Sequence, residues 1–512
     1  MTVPRRAMQE LGDARYQFDG LVGRRVDLNQ EQWLLTAPQA NPGMLAMLYD
    51  RDRLPRRDLV PWAGEFAGKY LTSAVLCYRL TRDPRLVRQI ERFVESLVAA
   101  QDVDGYLGPF PRSERLSGTI LDGKGRTWDL WGHYHAILGL LLWYAESGDA
   151  GALRAATRAG DLICDTFLGT GRRVLEAGDE EMNQAISHGL CLLYQATGGE
   201  RYWAMAREVE RDWEAPTSGD YVRDALAGTP FWRMHKPRWE SLHSVQAILS
   251  LYEITGEERY RRAFEAIWQS IRDGDIHNTG GFSSGEAATG NPYDPRPIET
   301  CCTVAWMALC VDMLRLTGDA RVADELELST LNATLGAQSP SGRWWTYDTP
   351  MDGVRRASAH DIVFQAREGT PELNCCSVNG PRSLGMLAQW AVLRSERGLA
   401  VNYYGPGTVT VPCEEGRMTL RQVTDYPRDG RIEIAVDVAG SAGELALGLR
   451  VPVWSQETVL ARNGSPLARP ATGGYVWLEG PWHSGDRIML ELDMRPRFWV
   501  GEREAAGQAS LY

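Results

Sequence analysis

The sequence predicts a mainly α-helical protein, an (α/α)6 barrel (toroid) of helix pairs, followed by a C-terminal antiparallel β-sandwich. Three observations carry this reading. A helix–turn–helix joint recurs along most of the chain, the hydrophobic period changes from that of a helix to that of a strand near residue 395, and the polar capping repeats that an open helical array needs are not seen. At 512 residues the chain is too long for one ordinary core, so a large unit over 1–394 and a smaller one over 395–512 are expected.

The joints are "CYRLTRDPRL", "WYAESGDAGAL", "LYQATGGERYW", "LYEITGEERYR" and "MLRLTGDARV". Each runs from an apolar helix end through a Gly or Arg-Asp-Pro turn into a second amphipathic helix, at intervals of roughly 50 to 65 residues, the length of one antiparallel pair plus a loop. Five joints with room for a sixth pair suit a closed ring. Beyond residue 395, "GRIEIAVDVAG", "ELALGLRVPVW", "GGYVWLEG" and "DRIMLELDMRPRFWV" alternate apolar and polar residues between Gly/Pro turns, the pattern of sandwich strands. The closing "GQASLY" reads as the start of another strand, as if the fold ran on past residue 512.

Lys and Arg number 55 against 67 Asp and Glu, a net charge of −12 with the basic residues scattered, which argues against phosphate backbones and anionic membranes as partners. The N-terminal "MTVPRRAMQELGDARYQFDG" has no apolar stretch after its arginines, and the longest apolar run, "AILGLLLWYA", is roughly half a bilayer span. A cytoplasmic location is expected, where disulfides are disfavoured.

Against that background "PIETCCTVAW" and "ELNCCSVNGP" stand out, two adjacent cysteine pairs among only nine cysteines. Each lies on a loop running into an apolar helix, where a toroid collects functional side chains at its mouth. Glu299, Cys301, Cys375 and Cys376 form a plausible tetrahedral zinc set, although the spacing is not that of a zinc finger. On residues alone two readings stand, a metal site and buried inert thiols. Cys77, Cys164, Cys191 and Cys310 lie in apolar helical stretches and are read as core, and Cys413 stays unassigned.

The stretches "WAGEFAGKYL", "AAQDVDGYLG", "GEAATGNPYDPRPIETC" and "NCCSVNGPRSLGML" resemble the retaining β-L-arabinofuranosidases of glycoside hydrolase family 127 over nearly the whole chain. The resemblance implies an (α/α)6 barrel with β-sandwich domains, a Zn²⁺ held by one Glu and three Cys, a cysteine nucleophile and exo-cleavage of β-linked L-arabinofuranose. Position by position, the zinc ligands are Glu299, Cys301, Cys375 and Cys376, the nucleophile is Cys375, and the acid/base is Glu286 of "SSGEAAT". Without the resemblance, Glu286 in its Gly/Ser-rich loop would read as a solvated surface charge.

His133 in "WGHYHAIL" and His243 in "SLHSVQAIL" match sugar-holding histidines, and Tyr347 in "WWTYDTP" matches a tyrosine near the scissile bond. On sequence alone each histidine also reads as a helix-start residue satisfied by backbone. Trp344 and Trp345 are placed near the sugar, and the other tryptophans in cores. Asn183 stands where relatives carry a sugar-contacting histidine, with His188 further along the same helix. It donates and accepts but carries no charge, so a different furanoside or pectic sugar is the first alternative substrate. Cys302 replaces a residue that is usually small and is read as packing. A non-catalytic toroid stapled by zinc is the second alternative, and retention of Glu286 speaks against it. The partner expected is a small carbohydrate, with neither nucleic acid nor membrane, and a possible homodimer is left open.

Overall fold

The computed structural model describes residues 6–512 apart from 122–124, 179, 352–354, 356–372, 414 and 442–443. Six helices form the inner wall of a ring: Glu65–Thr81, Asp129–Ser147, Ile186–Thr197, Ser241–Thr255, Thr300–Thr317 and Cys375–Gly385. Each packs on the next, and the last packs back on the first, which closes the ring. They are apolar nearly all round because neighbours cover every face. Thr300–Thr317 is long and apolar enough to cross a membrane, yet here it is a wall of the barrel.

Five outer helices follow directly on inner ones: Pro84–Ala99, Ala150–Phe167, Glu200–Asp212, Glu258–Gly274 and Ala320–Leu328. They are amphipathic, with one buried stripe each. The recurring joint is a left-handed helix cap. Gly148, Gly198, Gly256 and Gly318 follow the inner helices at φ of 73°, 69°, 72° and 67°, and Arg82 takes the same conformation at 52°. Asp83, Asp149 and Asp319 then cap the outer helix through its first N–H groups. The sixth outer helix is not the next one in the chain. Gly20–Asn29, from the N-terminus, packs on Cys375–Gly385.

The inner helices approach closely. A Cβ on Gly68 would lie 2.2 Å from the His135 carbonyl carbon, so only glycine lets Glu65–Thr81 meet Asp129–Ser147 at this distance.

From Val392 the described residues are strand and turn, with one short 3-10 helix at Arg503–Ala505. One sheet has the order Met8–Gln9, Val392–Ser395, Gly398–Val401, Ala446–Val451, Gly474–Leu478. The other runs Ser465–Pro466, Val459–Arg462, Arg487–Glu491, Arg431–Ser441, Glu415–Thr424, Gly407–Cys413, Arg15–Phe18. Pairing is antiparallel except between Gly398–Val401 and Ala446–Val451. The core between the sheets takes Leu447, Leu449, Ile432, Ile434 and Ile488 from the stretches predicted to alternate, together with Leu399, Val401, Val409, Val411 and Leu420. Two edge strands come from the N-terminus, where they are too short for a period to register.

The sandwich is fastened to the ring through Arg450. Fully buried, it donates to Glu327 Oε1 at 2.6 Å, to Asp324, and to the Asn402 carbonyl at 2.7 Å.

Candidate active site

Glu299 ends a two-residue strand that pairs with Asp348–Thr349 and immediately precedes the helix Thr300–Thr317, its side chain turned to the cysteines rather than to the helix N–H groups. Cys301 and Cys302 therefore fall in that helix's first turn. Asn374 caps Cys375–Gly385 reciprocally: the Ser377 N–H donates to Asn374 Oδ1 at 2.8 Å, and the Asn374 N–H donates to Ser377 Oγ at 2.9 Å. Both cysteine pairs thus sit at helix N-termini, where the helix dipole favours thiolate over thiol, yet the hydrogen bond to Cys301 raises Cys375 and burial raises Cys376 and Cys302 well above the ordinary thiol range.

The four candidate ligand atoms of Glu299, Cys301, Cys375 and Cys376 lie within 4.8 Å of one another, and all four residues are buried. Cys376 Sγ is 3.4 Å from Cys301 Sγ, 3.8 Å from Cys375 Sγ and 3.0 Å from Glu299 Oε1. A tetrahedral zinc with sulfur at about 2.3 Å spaces its ligand atoms about 3.5 to 3.8 Å apart, so the set fits one ion. Burial pushes the Cys301 thiol up, but hydrogen bonds from Cys375, Cys376 and Asn379 and the charge of Lys69 hold it well below the ordinary thiol range. Burial raises Glu299. Cys302 does more than pack: its thiol donates to Glu299 Oε2 at 2.7 Å.

Exposure separates the ligands. Cys301, Cys376 and Glu299 are 0% exposed, whereas Cys375 keeps 7%. Lys69 lies close by, ion-paired to Glu65 at 2.9 Å with both side chains 1% exposed, and its ammonium is 4.2 Å from the centre of the Trp239 ring.

Glu286 sits on a loop pinned at several points. Asp275 Oδ1 accepts from the Thr289 and Gly290 N–H groups at 2.7 Å each, Ser284 Oγ meets His277 Nε2 at 2.9 Å, and the Gly285 N–H donates to the Pro297 carbonyl at 3.0 Å. Ser283, Gly285 and Glu286 all have positive φ, of 71°, 57° and 68°, and two of the three are not glycine, so the loop stores strain where it presents the carboxylate. Tyr347 OH donates to Glu286 Oε1, and Arg238 Nη2 donates to Oε2 at 2.9 Å. The Tyr347 carbonyl in turn accepts from Thr300 N–H at 3.0 Å, tying this group to the start of the cysteine helix.

His243 Nδ1 contacts Tyr134 OH at 2.9 Å, its ring packs edge-on against Trp131 and Trp239, and its Nε2 has no partner among the described residues. Burial keeps it neutral. His133, expected at the sugar, is held by backbone. Its Nδ1 bonds the Asp129 carbonyl at 2.8 Å and its Nε2 accepts the Leu107 N–H at 3.0 Å, so both nitrogens hold backbone. His135, two residues on and unnoticed in the sequence, packs against Trp131 and His243 and leaves Nε2 without a partner among the described residues. Trp345, also expected near the sugar, is fully buried and donates to Asn29 Oδ1 at 3.2 Å. Asn183 is buried, with Nδ2 3.4 Å from the Val174 carbonyl.

Arg238, Glu240 and Lys69 also went unread in the sequence. For Arg238 and Glu240 the only signal was "KPRWESLH", where charged residues interrupt the approach to an apolar helix, and Lys69 lies in "WAGEFAGKYL", one of the stretches that carry the family resemblance.

Comparison with known proteins gives a consistent result. Residues 36–389 match the model of the β-L-arabinofuranosidase GH127 catalytic domain, and residues 398–494 match the GH127 middle domain. A non-reducing end β-L-arabinofuranosidase of Bifidobacterium longum subsp. longum is 25% identical over 491 residues, covering 86% of this chain and 73% of the relative. The crystal structure of a GH127 β-L-arabinofuranosidase from Geobacillus stearothermophilus T6 superposes with a TM-score of 0.77 at 19% identity, covering 97% of this chain and 85% of that one. A second solved GH127 β-arabinofuranosidase gives a TM-score of 0.79 at 19% identity over 99% of this chain and 84% of the other.

Proposed function

The chain belongs to the GH127 β-L-arabinofuranosidase family of glycoside hydrolases, and from that premise we propose that it releases L-arabinofuranose from the ends of β-L-arabinofuranosides with retention of configuration. The observation that carries this reading is the buried Glu299–Cys301–Cys375–Cys376 cluster, with Cys375 alone keeping an exposed edge.

A zinc ion held by these four residues would keep its thiols ionised at neutral pH, as a coordinated thiol is deprotonated outright. Cys375 Sγ attacks the anomeric carbon. The bond from that carbon to the glycosidic oxygen breaks, its electron pair stays on the oxygen, and Glu286 supplies the proton. Glu286, now a carboxylate, takes a proton from water as the water oxygen attacks the same carbon, and the C–S bond returns its electrons to Cys375. Tyr347 and Arg238 orient the Glu286 carboxyl. His243 and His135 are assigned to the sugar hydroxyls, as neutral rings that donate and accept.

Catalysis is assigned to residues 1–394 and support to residues 395–512, with the first two strands crossing that line. A site built on thiols suits a reducing compartment such as the cytoplasm. A related furanoside is the second reading, favoured by Asn183.

Two measurements test the proposal. A screen of nitrophenyl glycosides should single out the β-L-arabinofuranoside over its α-anomer and over other pentosides. Freshly purified, reduced protein should carry about one zinc per chain and lose activity on chelation. Protein without zinc, or activity that survives its removal, defeats the cysteine mechanism, and turnover of another furanoside alone supports the second reading.

A further inference from the structure

We propose that Arg238 is a positioning residue for Glu286, and that buried Glu240 sets how much of the guanidinium's charge Glu286 receives. This deepens the reading of Glu286 as acid/base and rests on it.

The geometry is a chain of three charged groups. Arg238 Nε meets Glu240 Oε2 at 2.9 Å, and its Nη2 is shared, 2.9 Å from Glu240 Oε1 and 2.9 Å from Glu286 Oε2. The two carboxyls differ in setting, since Glu240 is 1% exposed by side chain and Glu286 31%. Burial pushes Glu240 up to about 8 even with Arg238 pulling it back, while its two matched contacts are those of a carboxyl group on a guanidinium fork.

A retaining acid/base gives up a proton in one step and takes one in the next, so neither form can be held too firmly. An uncompensated guanidinium in contact with Glu286 would hold it as carboxylate and slow the first step. With no cation there, the carboxylate needed in the second step would be disfavoured beside the anionic cluster. A guanidinium whose Nη2 is shared between Glu240 and Glu286 lies between these limits, and its planar fork fixes the carboxyl's orientation as well.

Among the described residues, the other charged or titratable groups around Glu286 include Tyr347 on its Oε1 side and Glu299, Cys302, Cys375 and Cys376 on the cysteine cluster. Arg296 lies beside Gly285, ion-paired to Asp294, and Glu181 lies behind Arg238, ion-paired to Lys236 at 2.7 Å. Arg238 touches both Glu286 and a second, buried carboxyl group, Glu240.

The test is the pH profile of kcat/KM for the zinc-loaded enzyme on an alkyl β-L-arabinofuranoside, whose poor leaving group makes the alkaline limb report loss of the proton donor. Arg238→Met should move that limb up by about one pH unit, and Glu240→Gln, which leaves the guanidinium uncompensated, should move it down by a similar amount. Arg238→Lys should keep the wild-type limb with a lower plateau, since charge remains and the fork is lost.

A structural role alone would lower all rates without moving the limb. Unmoved limbs, or shifts of the same sign in Arg238→Met and Glu240→Gln, overturn the proposal. Should Arg238→Met fail to fold, the near-isosteric Glu240→Gln decides. Glu286→Gln on the same substrate separates the two layers. If the alkaline limb survives in that variant, Glu286 is not the acid and the parent reading fails. If it disappears there but stays fixed in the Arg238 and Glu240 variants, only the present inference fails.

Discussion

Cys375 and Cys376 are chain neighbours of identical chemistry, and the fold makes them unequal. Cys376 is sealed among Cys301, Cys375 and Glu299, whereas Cys375 keeps the one accessible edge of the cluster. Cys375→Ser should therefore abolish turnover and lower bound zinc together, as read by assay and metal analysis. Glu286→Gln should keep the metal and lose the proton donor. Its rate should fall far more on alkyl or sugar aglycones than on nitrophenyl ones, by about 10²-fold or more on the former, and a glycosyl adduct should accumulate on Cys375 in the mass spectrum. An adduct on another residue, or a rate loss independent of leaving group, contradicts these assignments. The four cluster residues were legible as a set because rare residues recur beside helix starts. Arg238 and Glu240 were not, because nothing about an Arg-x-Glu triplet says which carboxylate will meet it from a loop 48 residues away.

At the scale of elements, the joints were legible because their chemistry is local. A helix that ends left-handed asks for glycine, and one that restarts asks for aspartate, whatever surrounds them. Gly256→Ala should cost about 1 to 2 kcal/mol, since φ stays at 72° with a Cβ added, and denaturant unfolding would measure it. The cap at Asn374 acts on function as well as stability. Asn374→Ala removes the acceptor for the Ser377 N–H, costs about 1 kcal/mol, and should weaken zinc retention against a competing chelator by loosening the first turn that carries two ligands. Retention equal to wild type would mean that the cysteines are held by the ring alone. The loop of Glu286 was opaque for the opposite reason. Its shape depends on Asp275, His277 and Pro297, none of which declares a partner in sequence.

At the scale of the molecule, the ring and the sandwich meet on buried charge. Arg450→Met would strand Glu327 without its cation and should cost about 3 to 5 kcal/mol, whereas adding Glu327→Leu should recover most of that loss, because a buried pair is costly to break and cheap to replace. Equal losses in the single and double variants would show that the arginine contributes by packing. Acid should also loosen the fold through its buried histidines. His188 is driven down to about 3 by burial, while an unfolded histidine titrates at about 6.5, so the unfolded chain binds the extra proton between those values and stability falls as pH falls through that window. Between pH 7 and pH 5 wild type should lose about 2 kcal/mol more than His188→Gln, measured by denaturant unfolding at the two values.

Period and cap chemistry are properties of a few neighbouring residues, so the sequence by itself determined the helix pairs, the strands beyond residue 395 and the cysteine-rich helix starts, and the structure begins the first of those strands at Val392. Tertiary structure decided what depends on distance between remote segments. It took the sixth outer helix and two edge strands from the N-terminus, set His133 against backbone and Trp345 against Asn29, and brought Arg238 between Glu240 and Glu286. A side chain's type and spacing predict what it can bond, but whether a partner's atom arrives within reach is settled only when ring closure fixes every inner helix at once.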